Sequence, residues 1–158
     1  MPQKSKFILR AARTTDVKVI AEYNCAMALE TEQLVLDTRR VRDGVRSFLK
    51  NSSHGFYLLA EYEKHIAGQL MITYEWSDWR NGVFWWIQSV YVAPAFRGKG
   101  VFASLYTFVK TKARKEKNVC GLRLYVEQSN ATAQKVYGKL GMKKTDYEVF
   151  EEDFVLKR

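Results

Sequence analysis

This 158-residue chain predicts a mixed α+β fold: one sheet with helices on its faces. Three observations carry that expectation. Apolar runs suited to strands alternate with stretches whose apolar residues recur at helical spacing, in the order β-α-α-β-β-β-α-β-α-β. Two of the strand runs, FYLLAEYE (56–63) and IAGQLMITYEW (66–76), are joined by a short polar link near Lys64 and His65, which reads as a hairpin. A third, VFWWIQSVYV (83–92), is apolar on both faces and so belongs at the centre of the sheet.

The remaining elements follow in order. FILRAAR (7–13) is strand-like. Thr14, Thr15 and Asp16 are capping types ahead of VKVIAEYNCAMALE (17–30), where Val17, Ile20, Ala21, Tyr23, Cys25 and Met27 mark a partly buried helix. TRRVRDGVRSFLK (38–50) is a second helix with Val41, Val45, Phe48 and Leu49 inward, and NSSHG (51–55) is a turn. SDWRNG (77–82) is another turn. A helix is expected over 100–117, a strand over LRLYVE (122–127), and a helix over NATAQKVYGKLGM (130–142) with Gly141 as its C-cap. KKTDYEVFEEDFVLKR (143–158) is expected to close the sheet as a last strand. With no repeat and no low-complexity linker, the chain reads as a single domain, 1–158.

Composition narrows the function classes. Hydrophobic residues make up 47% and charged residues 27%, which is ordinary globular content. No apolar run approaches the roughly 20 residues of a membrane span, and MPQKSKFILR lacks the apolar segment of a secretory signal. The two cysteines, Cys25 and Cys120, are far apart and lack metal-ligand spacing. The expectation is a reduced, cytoplasmic protein with no metal and no membrane partner. The formal net charge of +9 fits a nucleic acid, a polyanionic small molecule or a solvated basic surface. Much of the excess lies in KTKARKEK (110–117), a helical tail whose charges can face water, and no nucleic-acid motif occurs. No nucleic-acid partner is expected.

The stretch YVAPAFRGKGVFASLYTFVK (91–110) leaves the central strand, passes two glycines among basic residues and enters a helix. The first N–H groups of a helix have no internal acceptor and carry partial positive charge, and glycine lets an anion approach the main chain. The dinucleotide pattern GxGxxG is absent, because Gly98-Lys99-Gly100 is followed by Val101, Phe102 and Ala103, and the nucleotide pattern GxxxxGK[ST] is absent too. Further on, Asn130 and Tyr137 are seven residues apart on one predicted helix, which returns them to nearly the same face.

An apolar strand, R-G-x-G-[hydrophobic], helix, strand, then N-x-x-A-x-x-x-Y-x-x-x-G-[F/M] resembles the GNAT superfamily of N-acetyltransferases. The matching residues are Arg97, Gly98, Gly100 and Val101, then Asn130, Ala133, Tyr137, Gly141 and Met142, and the element order agrees over nearly the whole chain. The resemblance implies a central mixed, mostly antiparallel sheet with helices on both faces, and acetyl-CoA as cosubstrate. It places the pyrophosphate on the amides of Arg97, Gly98, Lys99, Gly100 and Val101. It places the pantetheine arm along the main chain of Val90, Tyr91 and Val92, with the Val90 N–H polarising the thioester carbonyl. By the same resemblance Asn130 hydrogen-bonds the cofactor and Tyr137 protonates the leaving sulfur. Phe102 departs from the family pattern, which has a small residue there.

The general base is less directly indicated. Relatives carry a glutamate on the central strand where this chain has Gln88, so Glu75 on the preceding strand is the alternative, acting through water. The family's acceptor side is built from the first two helices and the central hairpin, and here ALETEQLVLD (28–37) and TYEWSDWRNG (73–82) are acidic and aromatic. Glu30, Glu32, Trp76 and Asp78 are candidate substrate residues for a small cationic amine, through ion pairing and cation–π contact. Solvated acids and core-packed tryptophans remain the other reading of the same residues. Trp85 and Trp86, on opposite faces of one strand, are expected to pack in the core. Acetylation of a protein lysine or N-terminus, non-catalytic acyl-CoA binding, and assembly as a homodimer stay open.

Overall fold

A computed structural model describes residues 6–156. The chain forms two packing units, Met1–Leu124 and Tyr125–Arg158. The first unit contains β1 (Ile8–Ala11), α1 (Val17–Glu32), α2 (Thr38–Lys50), β2 (Gly55–Tyr62), β3 (His65–Ser77), β4 (Gly82–Val92), α3 (Val101–Lys115) and β5 (Val119–Arg123). The five strands make one sheet in the order β1-β2-β3-β4-β5, antiparallel up to β4 and parallel between β4 and β5. This is the mixed, mostly antiparallel sheet that the sequence predicts. Among the described residues no helix is long and apolar enough to cross a membrane.

One face of the sheet carries α1 and α2. Val17, Ile20 and Ala21 of α1 and Val45 of α2 bury against Tyr57 and Leu59 of β2, with Phe48, Leu49 and Met71 around them. This is the period-3.6 stripe meeting the period-2 face of a strand. The opposite face carries α3, whose Val101, Leu105 and Val109 are buried. Helix α3 comes so close to β3 that a Cβ on Gly68 would lie 2.7 Å from Val101 Cγ1, so glycine is required there.

The α1 start is tied to the sheet by charge. Arg10 of β1 donates from Nη1 and Nη2 to the two Asp16 carboxylate oxygens (2.9 and 3.0 Å) and from Nε to Glu61 Oε2 of β2 (2.7 Å). Asp16 Oδ2 also accepts from the Arg13 N–H (2.7 Å). The Arg10 hydrogen bond, opposed by burial and aided by the Arg13 amide, holds the Asp16 carboxyl below its usual range. Asp16→Asn is therefore expected to lower the unfolding free energy by about 2 kcal/mol at pH 7. Because the folded pKa lies below the unfolded value of about 3.9, this stabilisation is full above pH ~4 and is lost as pH falls through the folded pKa. Urea unfolding of both proteins between pH 7 and pH 3 checks this, and the difference between them should shrink at the acid end.

The second unit contains α4 (Ala131–Lys139). Asn130 caps it, its Oδ1 accepting from the Ala133 N–H (3.0 Å). Its end is a left-handed Gly141 (φ 91°), with the Met142 N–H reaching Tyr137 O and the Gly141 N–H reaching Gly138 O, both at 3.0 Å.

Two expected strands differ from the structure. The strand predicted over 122–127 is instead Val119–Arg123, because the parallel ladder starts at Val83↔Val119 and stops at Trp86↔Arg123. The last strand predicted over 143–158 does not form in residues 143–156; residues 157 and 158 lie outside the described residues. Asp153 Oδ1 accepts from the Val155 and Leu156 N–H groups (both 2.8 Å), which bends the segment out of an extended path. Tyr147, Val149, Phe150, Phe154 and Val155 are all exposed, since the adjacent apolar pairs Val149-Phe150 and Phe154-Val155 cannot share one strand face.

Candidate active site

The site begins with an irregularity in β4. Gln69 of β3 pairs with Tyr91 and Met71 pairs with Gln88, so β4 spends one residue more than β3 over this span. That is a β-bulge, and it falls where Ser89 takes the left-handed region at φ 50°. A non-glycine residue there is strained, and such strain concentrates at functional positions. On its other side β4 pairs with β5 only from Val83 to Trp86. Beyond that, among the described residues, no strand covers the second edge of Ile87–Val92. Unpaired main-chain groups on such an edge can take an added extended chain.

The chain then passes a single 3₁₀ turn (Pro94–Phe96) and the exposed loop Arg97–Gly100 into α3. Gly98 and Gly100 sit at φ 72° and 77°, which glycine accepts without strain. The first helical hydrogen bond of α3 runs from the Ser104 N–H to Gly100 O (3.0 Å), and Gly100 at the N-cap has no side chain to offer as a cap. The Val101, Phe102 and Ala103 N–H groups therefore sit in the first turn, at the positive end of α3. The half-buried Phe102 ring lies 6.1 Å from the Tyr106 ring one turn further on, centroid to centroid.

The basic side chains of the loop are held by main-chain oxygens of Val92 and Ala95 and by the Glu30 carboxylate. Arg97 donates from Nε to Val92 O (3.0 Å) and from Nη2 to Glu30 Oε2 (2.7 Å), and Lys99 Nζ donates to Ala95 O (2.8 Å). Glu30 Oε1 accepts from the Tyr91 hydroxyl (2.8 Å). The Tyr91 hydroxyl, then the Arg97 guanidinium, hold the Glu30 carboxyl below its usual range. Burial, reinforced by Glu30, pushes the Tyr91 phenol up. The last turn of α1, strand β4 and the loop thus meet at one carboxylate, which the sequence had offered to the acceptor amine.

The other candidate residues are engaged separately. Glu75, paired with Phe84 in the ladder, accepts from Arg123 Nη1, and the Arg123 guanidinium sits 3.7 Å from the centre of the Phe84 ring. Glu32, the last residue of α1, is exposed. Asp78 Oδ1 accepts from the Trp79 N–H (2.9 Å) in the turn after β3. Trp76 is 61% exposed and alternates with Glu75 onto the opposite face of the sheet. Asp37, in the same acidic segment, caps α2 by accepting from the Arg39 and Arg40 N–H groups. Of the paired tryptophans, Trp85 is buried against Phe56 (centroids 5.3 Å), while Trp86 is half-buried on the other face.

In the second unit the Asn130 side-chain oxygen is engaged in the cap of α4. Burial pushes the Tyr137 phenol up, which keeps it protonated through neutral pH. Two features escaped sequence reasoning: Arg123 as the partner of Glu75, and the side chain of Tyr91 as a donor to Glu30. Neither has a local signature, because each partner is more than 45 residues away along the chain.

The profile of the Acetyltransferase (GNAT) family matches residues 22–142. Among solved structures the chain is similar to a possible acetyltransferase from Clostridium difficile 630, at 40% identity and TM-score 0.88, over 95% of this chain and 99% of that one. It is also similar to a predicted acetyltransferase from Clostridium acetobutylicum solved with acetyl-CoA, at 18% identity and TM-score 0.74, covering 92% and 96%. A third is a ribosomal-protein-alanine N-acetyltransferase from Brucella melitensis biovar Abortus 2308, at 15% identity and TM-score 0.74, covering 94% and 99%. No curated protein matches. With the profile spanning most of the chain, and a 40%-identical acetyltransferase fold matching nearly all of it, the protein belongs to the GNAT family of acetyl-CoA-dependent acetyltransferases.

Proposed function

We propose that the protein transfers an acetyl group from acetyl-CoA to the primary amine of a small cationic molecule. The observation that carries the coenzyme part of this reading is the start of α3, with glycine at its N-cap, beside an uncovered edge of β4. These features suit the two ends of one ligand. The amides after Gly98 and Gly100, with Arg97 and Lys99 beside them, fit a pyrophosphate. The main chain of Val90, Tyr91 and Val92 fits an amide-bearing pantetheine arm. When bound, acetyl-CoA supplies an activated acyl thioester.

The chain's own residues supply the rest. The Val90 N–H donates to the thioester carbonyl oxygen, where negative charge develops as the amine attacks. Glu75, paired with Arg123, takes the ammonium proton through one water, since an amine attacks only as its neutral form. Tyr137 gives its proton to the departing thiolate, and Asn130 adds a hydrogen bond to the coenzyme from its side-chain N–H. A phenol with pKa near 10 protonates a thiolate whose acid has pKa near 8.5 only with help from the site. Glu32 and Asp78 recognise the acceptor's positive charge, while Trp76, on the sheet face opposite Glu75, does not join them. Glu30 serves the coenzyme loop instead.

An amine panel with acetyl-CoA, followed by thiol release, tests this. Small polycationic amines, amino-acid derivatives and aminoglycoside-like compounds are expected to exceed peptides bearing a lysine or a free N-terminus by at least tenfold in kcat/KM. The reverse order would make a protein the acceptor. Coenzyme binding with no thiol release for any amine would make the chain a non-catalytic acyl-CoA-binding module.

A further inference from the structure

Gln69 sits in the middle of β3 with no exposure to solvent, between the buried Gly68 and Leu70. Its Nε2 donates to the main-chain oxygen of Ser89 (3.2 Å) and to Asn24 Oδ1 of α1 (2.8 Å). Asn24 Nδ2 donates in turn to the Tyr57 hydroxyl of β2 (3.1 Å), and the Ser89 side chain also hydrogen-bonds that hydroxyl. Four elements are therefore joined by polar groups beneath the bulge. Among the described residues, Gln69 Oε1 is the buried side-chain polar atom left without a partner. A buried amide with an orphaned oxygen is a poor device for stability, since an apolar side chain of similar volume carries no such cost. What Gln69 does hold is the one carbonyl that belongs to the strained residue of β4.

That carbonyl and the Val90 N–H are the two ends of a single planar trans peptide unit and point in opposite directions. Fixing the Ser89 oxygen towards Gln69 fixes the Val90 N–H away from it. We propose that Gln69 is a positioning residue for acetyl transfer: by holding the Ser89 oxygen it locks the Ser89–Val90 peptide plane and aims the Val90 N–H at the thioester carbonyl. Asn24 and Tyr57 orient the Gln69 amide. This rests on the function proposed above, and an oxyanion donor turned by even part of its arc loses most of its effect on the barrier.

Gln69→Leu removes the donor and keeps most of the volume, and Tyr57→Phe removes only one hydroxyl. Each variant is assayed at a temperature where melting curves show it fully folded. Gln69→Leu should lower kcat tenfold or more while KM for acetyl-CoA stays within threefold, and Tyr57→Phe should lower kcat about threefold. A purely structural Gln69 would lower the melting temperature and leave kcat of the folded enzyme unchanged, which overturns the proposal. Residual dipolar couplings separate this inference from the function it rests on. The Val90 N–H coupling should change beyond experimental error in Gln69→Leu, while the Trp85 N–H coupling of the same strand keeps its wild-type value. An unchanged Val90 coupling overturns the inference even if the wild type acetylates amines. A changed Val90 coupling supports it even if wild-type turnover is absent, in which case the function alone falls.

Discussion

Tyr137→Phe is expected to lower kcat by about 10²–10³-fold, the range for loss of a positioned general acid, while the affinity for acetyl-CoA changes by less than threefold. The split follows from the role. Proton transfer to the departing sulfur belongs to the transition state, so its loss falls on kcat rather than on binding. Burial raises the Tyr137 phenol above its ordinary value near 10. The acid form therefore persists through the working range, and its contribution declines only as pH rises through that raised pKa. The wild type should show this alkaline limb and the phenylalanine variant should lack it. Steady-state kinetics from pH 6 to pH 11 reads both effects, and an unchanged kcat removes Tyr137 from the chemistry.

Gly100→Asp is expected to abolish coenzyme binding while leaving the fold intact. A Cβ at Gly100 meets nothing within 4 Å, so the side chain has room. Aspartate tolerates the left-handed region at φ 77° better than most residues. Its carboxylate also sits favourably at the positive end of α3. The same charge repels a pyrophosphate bound there. At ~5 Å and an effective dielectric of ~20, each like-charge pair costs about 3 kcal/mol. A fall in acetyl-CoA affinity of at least 100-fold is the expected result, with a melting temperature within a few degrees of wild type. A charge-neutral Gly100→Asn control should lose far less, since it shares the backbone geometry and lacks the repulsion.

The sequence made the sheet's centre legible because alternating and two-sided apolar runs have a period that burial enforces. It made the turn into α3 legible because Gly98 and Gly100 are needed for a local backbone conformation. Helix α2 was readable to the residue, since Asp37 and Lys50 bound a regular stripe. What failed were features decided by partners distant in the chain. Leu122–Glu127 alternates like a strand, yet the ladder ends at Arg123 because that is where β4 ceases to offer an edge. Residues 143–156 are rich in apolar side chains, yet among the described residues they find no strand to pair with. Among site residues, Glu30 and Glu75 looked alike as exposed acids of the acceptor side. In the fold each faces its own arginine, Arg97 and Arg123, which ties Glu30 to the loop before α3 and Glu75 to β5. Gln69 did leave a trace: a polar residue inside the apolar run IAGQLMI is costly to bury unless it holds something.

The central claim is that main-chain amides at the start of α3 grip acetyl-CoA. Titration of the wild-type protein with coenzyme A, followed residue by residue in amide NMR spectra, tests it most directly. The expected result is saturable binding in the micromolar to millimolar range, with the largest shifts at Gly98, Gly100, Val101 and Phe102 and a second set at Val90 to Val92. Absence of saturable shifts at those amides up to several millimolar coenzyme, or saturation confined to residues elsewhere, would contradict the account.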